Sequence, residues 1–386
     1  MPGWAAYDPA PRRPLSRGER NLAALFALSL FGILCAELLS DFEPAKLSVF
    51  FILLFWVPLL VLHELGHALM ARLLGWGVHE MVLGFGPELL RLSLLGTRVS
   101  LRMVPVEGYV VPYPSDLRSA RLKSALIYAA GPGAELLFVL VLLLVVGSDV
   151  MFTRTGDLGL IALQSAAVAA MIGALQNLVP HAAAGGASDG LGILMSFGQS
   201  DVLFRYRMQL PTLREAERAI ARGDARAALA RVERALAQYP GDPILGAMHA
   251  RCLAASGQHE AALARLEALQ EGDVGSDLAE AERLHAAACL VLHGAEAGTL
   301  GEAEGACRQA LARQPGAPDY SMTLGEILVE QGRFEEAEKV LQQVYKNTRE
   351  PATEDRCTAL LARAAHGQGK AEDAERFRAA SARRGG

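Results

Sequence analysis

His63-Glu64-Leu65-Gly66-His67 ends an uncharged apolar run, residues 47–62, and continues into Ala68, Leu69 and Met70. On a helix, two histidines four residues apart project from one face about one turn apart, so both imidazoles reach a single metal ion. Zinc suits such donors. Glu64 stands beside the first of them, close enough to take a proton from a water whose pKa a metal with an open position lowers to ~7. The pattern is equipment for metal-assisted hydrolysis. An accidental match on a soluble helix is the plainer alternative. Against it, ionisable side chains at membrane depth cost ~2 to 4 kcal/mol each, and three within five residues need a shared reason. A metal supplies that reason better than a polar pore lining does.

The surrounding chain has 386 residues, room for two domains. Its mean hydropathy of +0.23 is high for a soluble protein. Every long apolar run falls within residues 1–210, where acidic and basic side chains balance, so the formal charge of -5 belongs to residues 211–386. The basic residues form only a short arginine cluster, and nucleic-acid binding is not expected. Cys35, Cys252, Cys289, Cys307 and Cys357 show no CxxC spacing. The last four fall on amphipathic patterns and read as buried, reduced thiols of a cytosolic segment.

Residues 1–20 combine Pro2, Pro9, Pro11 and Pro14 with Arg12, Arg13, Arg17 and Arg20, which reads as a disordered basic tail. Residues 21–40 are apolar and about long enough to cross a bilayer; their length favours an uncleaved span over a signal peptide. Further spans are expected at 47–74, 122–147 and 158–179, within a membrane domain of residues 21–205. The positive-inside tendency places both termini in the cytoplasm, and Arg91, Arg98, Arg102, Arg118, Arg121 and Lys123 between spans two and three agree. Pro58 is expected to kink the second span, and Gly131-Pro132-Gly133 to bend the third or pack it closely. Between these spans, Leu90-Arg91-Leu92-Ser93-Leu94 and Val99-Ser100-Leu101-Arg102-Met103 alternate around Gly96-Thr97, the pattern of a β-hairpin. The hairpin is either a small cover for the membrane face or an edge that holds an extended substrate strand beside the metal.

Two histidines and a water leave a tetrahedral zinc one protein ligand short. Three residues are candidates: Glu135 inside the third span, His181 after Pro180, and Asp189. Asp189 is favoured because Gly190 follows it and lets the backbone turn close to the metal.

Residues 211–386 are rich in Ala, Glu, Arg and Leu with helical periodicity. Glycines recur with an alanine five positions later: Gly223 with Ala228, Gly257 with Ala262, Gly298 with Ala303, Gly332 with Ala337, Gly369 with Ala374. The successive offsets are 34, 41, 34 and 37 residues, and the recurring period of 34, with Pro240 and Pro315 at the ends of units, predicts tetratricopeptide-like helical hairpins stacked in a solenoid.

Taken in order, HELGH in a membrane span, Gly84-Phe85-Gly86-Pro87, the stretch from Pro105 to Val110, Ala130-Gly131-Pro132 and Asn177-x-x-Pro180 leading to Asp189-Gly190 resemble the site-2 protease family of intramembrane zinc metalloproteases. The resemblance covers residues 47–200. It implies that His63, His67 and Asp189 bind one Zn2+, that Glu64 is the base, and that Asn177 holds the scissile peptide or its oxyanion. It also implies regulated cleavage of a membrane protein, single-pass in the simplest case, in or next to its transmembrane segment, by a multi-pass enzyme of the bacterial inner membrane. Two features depart from the family pattern: twelve residues separate Asn177 from Asp189, with Ala182 to Ala187 in place of a proline-rich segment, and Val106 and Glu107 follow Pro105. The expected fold is mainly α: a polytopic helical membrane core with a small β-hairpin, then a soluble helical repeat domain that recruits a cytosolic peptide or protein partner. The rival readings are a catalytically silent membrane-anchored scaffold and a metal transporter.

Overall fold

The computed structural model describes residues 42–183, 186–271, 277–294, 298–315, 317–347 and 351–382, with some positions between 25 and 40. The tail at 1–20 and most of the first expected span lie outside the described residues. The chain divides into two compact units, residues 14–208 and 209–386.

In the first unit a 3-10 turn, Pro44–Leu47, leads into α1, Ser48–Leu73, which runs unbroken through Pro58. Two more long apolar helices follow, α2 at Ala120–Val146 and α3 at Leu158–Leu178, with a one-turn helix, Ser148–Met151, between them. Among the described residues, three helices are long and apolar enough to cross a membrane: α1 with its leading turn, α2 and α3. Their outer faces carry exposed apolar side chains, Leu53, Leu54, Leu69, Leu140, Leu144 and Ile172 among them. Small residues let the three approach one another. Ala166, Ala167, Ala169, Ala170 and Ala174 of α3 are buried. A Cβ on Gly66 would lie 2.5 Å from the Ala130 carbonyl oxygen, so only glycine allows α1 and α2 this spacing.

The hairpin expected between the first two of these helices is present as β1, Gly77–Leu94, and β2, Thr97–Tyr113, with Leu94 opposite Thr97 at the turn. Both strands bend. Residues 88–94 pair with 97–102, while residues 77–83 pair with 108–113 in antiparallel register and also run alongside 98–101. Gly84, at φ +90°, makes the bend in β1; a Cβ there would meet the Val104 carbonyl at 2.7 Å. Arg72, at the end of α1, fastens the turn by donating to the Leu95 carbonyl and to Thr97 Oγ1, each at 2.8 Å. After α3 come a miniature hairpin, β3 at Ala182–Ala183 and β4 at Gly186–Ala187, and the eight-residue α4, Asp189–Ser196. At about 12 Å, α4 is too short to span a membrane.

A further helix, α5 at Asp201–Ala221, runs across the division between the units. The second unit continues with α6 Ala225–Gln238, α7 Pro243–Ala255, α8 His259–Glu271, α9 Asp277–Leu292, α10 Leu300–Arg313, α11 Pro318–Glu330, α12 Phe334–Asn347, α13 Pro351–Gly367 and α14 Ala371–Ala382. Neighbours in sequence pack side by side, and α7, α9, α11 and α13 also touch one another in a row. Gly223, Gly257, Gly332 and Gly369 turn the chain at positive φ, as the spacing requires, and Ala228, Ala262, Ala303, Ala337 and Ala374 are all buried. Only the third turn differs. Gly294, not Gly298, takes the positive φ, and Thr299 then starts α10 with a reciprocal capping box to Glu302. The connection from α9 to α10 lies within the longest of the spacings, the one from Gly257 to Gly298. Cys252, Cys289, Cys307 and Cys357 are all buried, as the sequence leads one to expect.

Candidate metal centre

His63 and His67 lie one turn apart on the buried face of α1, with their Nε2 atoms 3.1 Å apart. Asp189, the first residue of α4, faces both: Oδ2 is 3.0 Å from His63 Nε2, and Oδ1 is 3.3 Å from His67 Nε2. Among the described residues these three form the group able to hold a metal, with donor atoms all within 4.8 Å of one another. Ligands bound tetrahedrally at the usual zinc distances stand about 3.3 Å from each other. The spacing therefore fits zinc closely.

The outer ring nitrogens define what the inner ones can do. His67 Nδ1 lies 2.7 Å from the Ile127 carbonyl oxygen, which only accepts, so Nδ1 carries the proton and the neutral ring turns its Nε2 lone pair inward. His63 Nδ1 is 3.2 Å from Glu135 Oε2. Two ring lone pairs and a carboxylate converging in an apolar interior repel one another unless they share a cation. Glu64 is 4% exposed, and its Oε2 has no hydrogen-bond partner among the described residues. A buried carboxyl oxygen without a partner is costly. Its place beside the donors suits a base that exchanges a proton with a molecule entering the site.

Close backbone approaches build the walls. Gly131 of α2 lies against both histidines; a Cβ there would come within 2.3 Å of His67 Nε2 and 2.7 Å of His63 Nε2. Gly108 of β2 lies over Glu64, where a Cβ would be 2.8 Å from its Cγ and Oε1. Trp56 Nε1 donates to the Val106 carbonyl at 3.2 Å and ties the same strand to α1 one helical stretch before the histidines. The Gly131 contact follows from the expected close packing of the third span. Nothing local in the sequence pairs Gly108 with Glu64 or Trp56 with Val106, although both strand residues fall in the stretch that carries the family resemblance.

The long Asn177-to-Asp189 separation is taken up by a closed loop. Ser188 N donates to the His181 carbonyl at 2.9 Å, while Ser188 Oγ donates to the Val179 carbonyl at 2.8 Å and accepts from His181 N at 3.0 Å and Leu191 N at 3.3 Å. The serine thus closes β3–β4 at its base and caps α4, returning Asp189 to the end of α3. Gly190 serves differently from the expected tight turn. It sits inside α4 at ordinary helical φ, and a Cβ there would lie 1.9 Å from the Leu178 carbonyl oxygen.

The other ligand candidates are placed elsewhere. His181 is exposed, with Nδ1 2.9 Å from the Val179 carbonyl. Glu135 meets the far nitrogen of His63. Asn177 turns its amide back along α3 to the Gly173 carbonyl at 3.2 Å.

Membrane-length helices enclosing a His-His-Asp cluster with an adjacent glutamate define an integral-membrane protein with a buried metal centre. Residues 50–362 match the family described as Peptidase family M50, and the chain belongs to that family, the site-2 proteases. It is 34% identical over 106 residues to a Clostridium perfringens protein provisionally named a zinc metalloprotease, covering 26% of this chain and 32% of that one. A Campylobacter jejuni protein with the same provisional name is 30% identical over 162 residues, 38% of this chain and 42% of the relative. The zinc metalloprotease RasP of Oceanobacillus iheyensis is 40% identical over 75 residues, 19% of this chain and 18% of that one. The chain thus spans less than half the length of each of these relatives.

Proposed function

We propose that this chain is an integral-membrane zinc metalloprotease that hydrolyses a peptide bond in or next to a transmembrane segment of a membrane protein. The observation that carries the reading is the convergence of His63 Nε2, His67 Nε2 and the Asp189 carboxylate beside the unpartnered Glu64 oxygen. His63, His67 and Asp189 would hold the ion. When bound, zinc supplies Lewis-acid polarisation of the scissile carbonyl and of the attacking water. Glu64 accepts the water's proton and returns it to the departing amide nitrogen. Asn177 would orient the scissile peptide after releasing its bond to Gly173. The bent strand from Val106 to Val110 lies over Glu64 and would align an unwound substrate segment along its edge.

In this reading residues 21–40 are a fourth span, both termini are cytoplasmic, and the membrane is the bacterial inner membrane. The helical pairs of residues 211–386 act as tetratricopeptide-like repeats. Their support is a recurring polar joint. Gln331 Nε2 donates to the Leu300 carbonyl and to Glu304, which also pairs with Arg333; Gln368 Nε2 donates to the Phe334 carbonyl and to Glu338, which pairs with Lys370. These repeats would recruit a substrate or a cytosolic partner and raise its local concentration at the membrane.

The decisive comparison is between cells carrying the parent and Glu64→Gln. A single-pass protein that accumulates uncut in the variant, with zinc still bound and turnover down by at least ~10²-fold, is the expected result. Unchanged cleavage would remove Glu64 from the mechanism. Loss of cleavage in neither the Glu64 nor a His63 variant would leave the silent scaffold as the better description.

A further inference from the structure

Glu135 is the single charged residue between positions 124 and 146 of α2, and its side chain is only 5% exposed. An acidic side chain at that depth of an apolar helix is costly to keep and needs a partner. The polar contact the structure gives it is His63 Nδ1, 3.2 Å from Oε2. Its other oxygen faces α3 where Gly173 has no side chain; a Cβ there would lie 2.7 Å from Oε1. Three helices are thus arranged around one carboxyl group: α2 carries it, α1 presents the imidazole, and α3 leaves room for it.

The two histidines differ on their outer side. His67 is anchored by a neutral carbonyl, Ile127 O, and His63 by an acid. Because Oε2 addresses the ring nitrogen that points away from the cluster, Glu135 is placed to act through His63 and not as a ligand itself. Accepting Nδ1–H selects the tautomer whose Nε2 lone pair faces Asp189 and His67, and a carboxylate in that position makes the imidazole a stronger donor.

We propose, resting on the zinc metalloprotease reading, that Glu135 is a positioning residue of the metal centre: it orients His63 and, as a carboxylate behind the ring, makes its Nε2 a stronger metal donor. The test uses the purified full-length protein, with Zn2+ affinity measured by chelator competition and the ligand geometry read from the Co2+ d–d spectrum. Glu135→Gln keeps an oxygen that accepts Nδ1–H but removes the charge. It should weaken Zn2+ binding by ~10- to 100-fold while preserving the shape of the Co2+ band. Glu135→Ala removes both and should weaken binding further and alter the band as His63 is released. A role confined to filling space between helices would leave Glu135→Gln with parental affinity, and that result overturns the inference. An identical Co2+ band in Glu135→Ala overturns the orienting role. Failure of the parent itself to bind Zn2+ or Co2+ would instead sink the metal-centre reading, and the inference with it.

Discussion

Gly131 of α2 lies so close to His67 of α1 that a Cβ added to the glycine would stand 2.3 Å from the imidazole Nε2, inside any tolerable contact. The metal-facing nitrogen is therefore packed directly against the backbone of the neighbouring helix. Gly131→Ala should push the ring aside without introducing a charge or a polar group. The expected outcome is a drop in Zn2+ affinity of at least about tenfold, with helical content unchanged, measured by chelator competition and circular dichroism. Parental affinity in that variant would mean that α1 and α2 are not packed this closely.

The sequence favours Asp189 over His181 as the third ligand because Gly190 follows it, and the two side chains have different surroundings. The aspartate faces both imidazoles, and the histidine is exposed and bonded to the Val179 carbonyl. Asp189→Asn should lower zinc occupancy and activity together, by about a hundredfold or more in affinity, since a charged donor becomes a weak neutral one. His181→Ala should retain most of its zinc. Full occupancy in the Asp189 variant under a competing chelator, with loss in the His181 variant, would reverse the assignment.

What could be read in advance was whatever rests on local pattern. The i, i+4 histidines, the uncharged run before them, the alternation around Gly96-Thr97 and the glycine–alanine recurrence each depend on a few consecutive residues, and the helices and hairpin lie where those patterns place them. What could not be read depends on how elements are rotated against one another. Glu135 was visible as an acid inside the third span, yet its address at His63 Nδ1 follows from the turn of α2 against α1. The contact of Gly108 with Glu64 depends on how β2 lies against α1. The twelve-residue offset between Asn177 and Asp189 departs from the family pattern, and a sequence does not show that Ser188 ties the two ends of the intervening loop together. The glycine–alanine register picks Gly298 as the turn residue, but the positive φ falls on Gly294, because the capping box at Thr299 and Glu302 starts the next helix directly after Gly298.

Burial governs the thiols of the second unit. Desolvation pushes Cys252 and Cys307 up to about 12, and Cys289 and Cys357 are buried as well. At neutral pH the reactive thiolate is therefore nearly absent, and reagents have no access. Native protein treated with an alkylating reagent should show no modification at these four positions by mass spectrometry, and all four should label once denaturant is added. Labelling of Cys252 or Cys307 in the folded protein would show that α7 and α10 do not pack as described.

Glu304 makes the stability of the second unit depend on pH in a predictable direction. Desolvation works to raise its pKa, but hydrogen bonds from Arg308, Gln331 and Arg333 and the nearby Arg333 charge outweigh that and bring the carboxyl down to about 2. The folded value lies below the ordinary 4.5, so the folded state favours the ionised form. The contribution is then complete above about pH 4.5 and is lost progressively as pH falls towards 2. Glu304 joins α10 to the turn between α11 and α12 through Gln331 and Arg333, so its protonation loosens a joint between successive helical pairs. In full-length protein, the melting temperature of the parent's second unit should exceed that of Glu304→Gln at pH 6, and the difference should shrink steadily below pH 4.5. A constant offset across that range would mean that the side chain's packing, not its ionised pairing, holds the joint.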